Sequence, residues 1–233
     1  MQLRKALRSI IGVRFIFLFS SVLLLSSGCA SSRGTLDINV QPVLNPTSGT
    51  AVRIVQVRDM RVFEKEPKEP FTPSLKDGAI EDMSITSRAI ARKRNSYGVA
   101  MGDILLPEGR TVAGLVEEAV GRSFRESGFI VRHRDDAGYG DALPVEIDID
   151  QFWGWARWGF WTFSFEFESR LNIKAPLKPF EQGETVRGYA HFARPAGGSS
   201  VWQGVIDEGI ADLITNIRAR FTAERTATIP GVK

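Results

Sequence analysis

The chain has 233 residues, with 30 Lys and Arg against 27 Asp and Glu, and a single cysteine. One cysteine excludes an internal disulfide framework, so stability must come from burial. Arg4, Lys5, Arg8 and Arg14 lie in the first 28 residues, which hold no acid; removing those four leaves 26 basic against 27 acidic groups, a formal charge of −1. The basic balance belongs to the leading segment, and there is no electrostatic case for a nucleic-acid partner.

Residues 15–25, FIFLFSSVLLL, form an apolar run of eleven. As helix they would span roughly 16 Å at about 1.5 Å per residue, too short for a hydrocarbon core of about 30 Å. The basic start, the short run and the small residues Ser26, Ser27 and Gly28 before Cys29 read as a cleaved export signal. This segment resembles the bacterial lipobox, with Ser26 where Leu is usual. The resemblance implies that residues 1–28 are removed and that Cys29 is lipidated, which explains an unpaired cysteine in an exported chain. Bilayer burial contributes about 0.8 kcal/mol per methylene and needs two or more chains for stable attachment; the implied modification supplies three. Ala30 and Ser31 follow Cys29 in place of the Asp that favours inner-membrane retention, so the resemblance implies the periplasmic face of the outer membrane. Residues 29–34 form the tether, 35–225 one folded domain, and 226–233 a loose tail.

Within the domain, residues 35–43 alternate Leu36, Ile38 and Val40 with polar neighbours, a short strand. Residues 45–50 are turn chemistry. Residues 51–58, AVRIVQVR, are β-branched on both faces and read as a buried strand. Three prolines in 64–73 forbid helix or central strand, and 63–106 reads as one long connection. It carries Arg88, Arg92, Lys93 and Arg94, candidate contacts for an anionic surface or, more simply, a solvated loop or short helix face.

Residues 111–127 predict an amphipathic helix with Val112, Leu115, Val116, Ala119, Val120 and Phe124 on one stripe, Thr111 as N-cap and Gly128 as stop. Residues 129–133 form a strand and 135–141 a loop. In 145–153, Val145, Ile147 and Ile149 point inward and Glu146, Asp148 and Asp150 outward. In 161–175, Trp161, Phe163, Phe165, Phe167, Leu171 and Ile173 share a face, an alternation typical of antiparallel sheets. Residues 185–194 form another strand. The last helix starts at Ser200, with Gln203 completing a capping box, and buries Trp202, Val205, Ile206, Ile210, Leu213, Ile214, Ile217 and Phe221. The expected fold is α/β of the α+β type: a single, mainly antiparallel sheet with two helices packed on one face.

With these elements in place the chain resembles the bacterial lipoproteins typified by YajG. The residues that carry this are the lipobox, the strand ending Val57-Arg-Asp59-Met-Arg61, the segment 97–102, the helix stopped by Gly128, the acidic alternating strand, and Ile210-Ala-Asp-Leu-Ile214 in the closing helix. A weaker resemblance is to auxiliary lipoproteins of lipid-transport ABC systems. Neither implies a catalytic residue.

Glu146, Asp148 and Asp150 stand on one strand face about 7 Å apart. Such a row can serve as a metal site or an acid–base pair, or as an exposed face paired with Arg170, Lys174 or Arg187. No histidine or calcium loop accompanies it, and His133 and His191 sit at exposed or structural positions. Nucleophile, zinc and phosphate motifs are absent. No catalytic residue, metal or cofactor is expected.

The unusual stretch is 153–161, WGWARWGFW, with four of the five tryptophans. Strand parity places Trp153, Trp155 and Trp161 inward and leaves Trp158 and Phe160 as a candidate interaction tip. Tryptophan suits membrane interfaces and protein hot spots. The expectation is a non-enzymatic adaptor or binding module of the cell envelope, held to the membrane through lipid on Cys29 and partnered by an envelope protein. The alternatives are an auxiliary lipoprotein of lipid transport and an envelope hydrolase using the Glu146/Asp148/Asp150 face.

Overall fold

The computed structural model describes residues 33–95, 97, 99–159 and 161–228. Among these, the elements run β1 (Gly34–Thr35), β2 (Ala51–Asp59), a 3₁₀ turn (Lys76–Glu81), α1 (Met83–Thr86), β3 (Ala89–Arg94), β4 (Ala100–Leu105), α2 (Val112–Glu126), β5 (Ile130–Val131), β6 (Leu143–Trp158), β7 (Phe163–Lys174), β8 (Glu184–Arg194) and α3 (Ser199–Thr228). Residues 63–106 are thus not one connection but a short helical segment followed by a hairpin, and the closing helix continues through Thr228 rather than ending at Arg225.

All the strands belong to one sheet in the order β1-β4-β3-β6-β2-β5, with β7 and then β8 on the other side of β6. The sheet is mixed, not mainly antiparallel. β1–β4, β2–β5, β2–β6 and β3–β6 are parallel, while β3–β4, β6–β7 and β7–β8 are antiparallel. The β6–β7–β8 meander carries the alternation visible in the sequence. The parallel pairs join strands far apart in the chain, which local periodicity does not report.

β6 spans the molecule. β7 pairs with it from Glu146 to Trp158, so β2 and β3 must share its other edge. β2 runs along Leu143 to Ile149, and β3 meets it at Gly154. Arg61 fills the gap between them. Its buried guanidinium pairs with Asp59 at 2.6 Å and donates to the carbonyls of Thr86 (2.8 Å), Ala89 (2.6 Å) and Phe152 (3.2 Å). A buried cation holds only where paired and hydrogen-bonded, and here it supplies donors that a missing strand segment would have given.

Where the partner changes, the β6–β7 register slips between Ile149 and Gln151. One extra residue reverses every later side chain. Val145, Ile147 and Ile149 face the helices, and beyond the slip Phe152 and Ala156 continue that core. Trp153 and Trp155 turn to the opposite face instead. They are buried, but against Leu75, Ala89, Leu105, Phe63, Ile80 and Ile85. The proline-rich connection, the 3₁₀ turn and α1 therefore roof a second, small core.

The main core lies under α2 and α3 on the other face. Thr111 caps α2 by accepting from the Gly114 amide at 3.1 Å. At its end Phe129 N–H donates to Phe124 and Gly128 N–H to Arg125, with Gly128 at φ +94°, a Schellman stop. The Gln203 capping box does not form: Gln203 donates to the Asp37 carbonyl and to Asp207. All eight apolar residues expected on the α3 stripe are buried.

Two readings of β strands change. β1 ends at Thr35, and residues 36–43 run irregularly with Ile38 wholly buried. β2 is not buried throughout, because β5 covers only Ala51 and Val52 and leaves Val55 exposed at a bulge.

Candidate functional site

The β6–β7 turn is built by Gly159 N–H donating to Thr162 C=O at 2.8 Å. Trp158 is exposed and sets its ring edgewise against Phe163, centroids 4.3 Å apart. Trp161 is 81% exposed, a correction to its expected inward place. Strand β7 begins only at Phe163, so parity does not extend back to Trp161. Phe160, the other candidate of the tip, lies outside the described residues. Trp153 and Trp155 are buried as expected, though on the other face, and pack edgewise on Phe63 and Phe71 at 5.8 and 6.2 Å.

Beside this hairpin stands the β3–β4 turn. Asn95 accepts from the amides of Tyr97 (3.0 Å) and Val99 (2.9 Å), the side-chain turn its residue type favours. Tyr97, Val99 and Met101 are exposed. Because β3 runs parallel to β6, both turns project from the same end of the sheet. Nothing in residues 97–101 signalled this, since the pairing of β3 with β6 is not local.

The basic cluster, Arg88 in the turn before β3 and Arg92, Lys93 and Arg94 on it, is not one exposed patch. Arg88 is half-buried and donates to the Leu106 carbonyl at 3.0 Å. Arg92 is buried beside Asp103, at 3.8 Å. Asp103 is fully buried and also accepts from Arg33 (3.2 Å) and the Lys76 amide (3.0 Å). Arg94 is half-buried with Ser74 at 3.4 Å, and burial, with Arg92 nearby, holds its guanidinium below the ordinary value. Lys93 lies on the other face, beside Gly34. The cluster is a strand with an internal charge network, neither solvated loop nor helix.

The three carboxylates of β6 do not converge. Asp148 forms a bidentate pair with Arg58 of β2, and Glu146 lies 3.8 Å from the same guanidinium. The partner is the parallel neighbour, not Arg170, Lys174 or Arg187 as expected, and Asp148 holds the Arg58 cation above its ordinary value. Asp150, at the register slip, is exposed.

Past Asp150, the face of β6–β7–β8 away from the helices carries a charge ladder. Glu166 accepts from Tyr189 Oη at 2.9 Å and pairs with Arg157 at 3.5 Å; Glu168 pairs with Arg187 at 2.9 Å and Arg170 at 3.8 Å. Burial and the Glu166 carboxylate push the Tyr189 hydroxyl up. These groups border a cavity of about 570 Å³ with Trp155 and Phe71. A larger groove of about 1020 Å³ follows α2 and β2 and is lined by both charged and apolar groups, among them Arg110, Glu117, Arg125 and Ile54. His133 lies 3.0 Å from Arg125, and His191 lies 2.6 Å from Ser164, both on the surface. Among the described residues, no group of three or more His, Cys, Asp or Glu is placed to hold a metal ion, and no helix is long and apolar enough to cross a membrane. Cys29 lies outside the described residues.

No protein-family model and no curated protein matches the chain. Among the solved structures similar to the chain are two at 10% identity. One is an uncharacterized protein, with a TM-score of 0.41, 81% of this chain and 97% of the other covered. The other is XCC0632 from Xanthomonas campestris, of the family DUF330, with a TM-score of 0.36, 85% of this chain and 98% of that one covered.

Proposed function

We propose that the chain is a lipoprotein held by Cys29 at the periplasmic face of an outer membrane, where it acts as a non-enzymatic adaptor or binding module. The YajG-like pattern of the sequence supports this reading. The observation that carries it is the exposed Trp158 and Trp161 at the end of a hairpin whose base is anchored in a filled core. Large apolar rings held in water by a rigid element are suited to binding. The carboxylates favour binding over hydrolysis, since Glu146, Asp148, Glu166 and Glu168 are each matched to a neighbouring cation. The lipid-transport reading calls for an apolar groove beside the aromatic hairpin; the cavity on that strand face, with Trp155 and Phe71, is ringed by Glu166, Glu168, Arg170 and Arg187.

The test is fatty-acid labelling in cells, followed by crosslinking and identification of what is captured. Wild type is expected to label and to capture an envelope protein. Cys29→Ser is expected to lose the label and leave precursor or a soluble form. Label retained at wild-type level in Cys29→Ser would sink the anchor.

A further inference from the structure

We infer that the turn-bearing end of the sheet is a membrane-docking face, with Trp158, Trp161 and Tyr97 seated in the headgroup layer of the bilayer that holds the lipid. This deepens the anchored reading above and rests on it.

The argument is one of reach. β1 lies parallel to β4 with Gly34 level with Ile104; Ile104 is level with Ala91 of β3, and Ala91 with Gly154 of β6. Gly34 is thus level with Gly154 across the sheet. Arg33, the residue before β1, lies on the side of the turns: it contacts Asp103, nearer the Ala100 end of β4. Cys29 is five residues before Gly34, and five extended residues span at most roughly 17 Å. Trp158 is four residues past Gly154 along β6, roughly 13 Å, so the level of the turns along the strands falls inside the reach of the tether, with Trp158 itself standing three strands to the side. Leu143, at the opposite end of β6, is eleven residues away, roughly 36 Å, and falls far outside it. With acyl chains on Cys29 buried, the end of the sheet that carries the two turns can rest on the bilayer and the other end cannot.

The chemistry of that end matches the surface it would meet. Trp161 is 81% and Tyr97 89% exposed, with Trp158, Val99 and Met101 also exposed beside them. Trp and Tyr are the residues that collect at the headgroup level, where the ring is apolar and the polar handle stays wet. Arg194 sits at the same end of its strand, level with Phe163, and Arg157, level with Ser164 and half exposed, stands there too while pairing with Glu166. Cations set just behind aromatic anchors are attracted to anionic lipid.

The experiment uses the full chain purified from membranes and reconstituted into vesicles of three parts phosphatidylethanolamine to one of phosphatidylglycerol, with and without brominated acyl chains. Mass spectrometry first reads the acylation of Cys29. Trp153, Trp155 and Trp202 are buried in the protein and give an unquenched background. Brominated lipid is expected to quench a substantial part of the emission, and Trp158→Phe with Trp161→Phe to abolish most of that quenching. Each single variant should remove part of it. An acylated chain that is not quenched overturns the docking and leaves the anchor standing. A chain without acyl groups overturns both. An unquenched chain whose in-cell crosslinks are lost in the double variant makes this end a protein-docking surface instead, and overturns the lipid assignment.

Discussion

At the scale of single residues, the five tryptophans divide by surroundings rather than by sequence. Trp153 is wholly buried and its indole N–H has no hydrogen-bond acceptor. Its contribution is therefore packing. Trp153→Ala is expected to cost about 3–5 kcal/mol, while Trp153→Phe should cost much less because no hydrogen bond is lost. Trp161→Ala should change stability by no more than about 0.5 kcal/mol. Denaturant melts of the three variants check this, and equal losses for Trp153→Ala and Trp161→Ala would refute the division. Tyr189 gives a pH signature. Its hydroxyl is raised above the ordinary tyrosine value by burial and by Glu166. The folded state therefore holds that proton more tightly than the unfolded chain. The stabilisation is complete below the unfolded value of about 10 and is lost as pH rises through the higher folded value. Phenolate absorbance should show one tyrosine titrating late, and Tyr189→Phe should remove both that step and part of the alkaline decline. The inward set Val145, Ile147 and Ile149 could be read from alternation alone. The facing of Trp153 could not, because it depends on one unpaired residue near Asp150 that leaves no mark in the sequence. Arg61 was equally silent: its partners lie on three segments brought together by the fold.

At the scale of elements, α2 and its caps were readable because every signal is local. Thr111, the apolar stripe and Gly128 act within a few residues of one another. β3 and β4 were hidden because short strands with Arg and Gly carry little periodicity, and their burial comes from β6 and the roof. The α3 contact shows a further demand on sequence that pattern does not expose. Gly188 of β8 and Gly209 of α3 meet so closely that a Cβ on Gly188 would lie 2.6 Å from Leu213 Cβ, and one on Gly209 would fall on the ring of Phe167. Gly209→Val is expected to destabilise by about 1–3 kcal/mol through overpacking, seen as a lower Tm, whereas the same change at Gly198, where a Cβ meets nothing within 4 Å, should have a smaller effect. A Gly209→Val protein that melts with wild type would show that α3 can back away from the sheet.

At the scale of the whole molecule, β6 joins two parts, each with its own core: the helix-covered layer and the smaller layer roofed by residues 63–86. Its shared edge has a consequence for how the chain reaches this structure. β2 finds its main partner about ninety residues later in the chain, while β3 and β4 close on each other at once. Pairings of such sequence separation are slow to form. As the chain emerges from its amino terminus, the apolar strand 51–57 is made early and must wait for β6 to pair along most of its length, β5 covering only Ala51 and Val52. Arg53 and Arg58 interrupt and flank that strand, and flanking charge keeps a waiting strand from pairing with its neighbours in other chains. Arg58 is then taken up by Asp148 when β6 arrives. The same cation thus guards the unfinished chain and afterwards marks the register of the finished sheet.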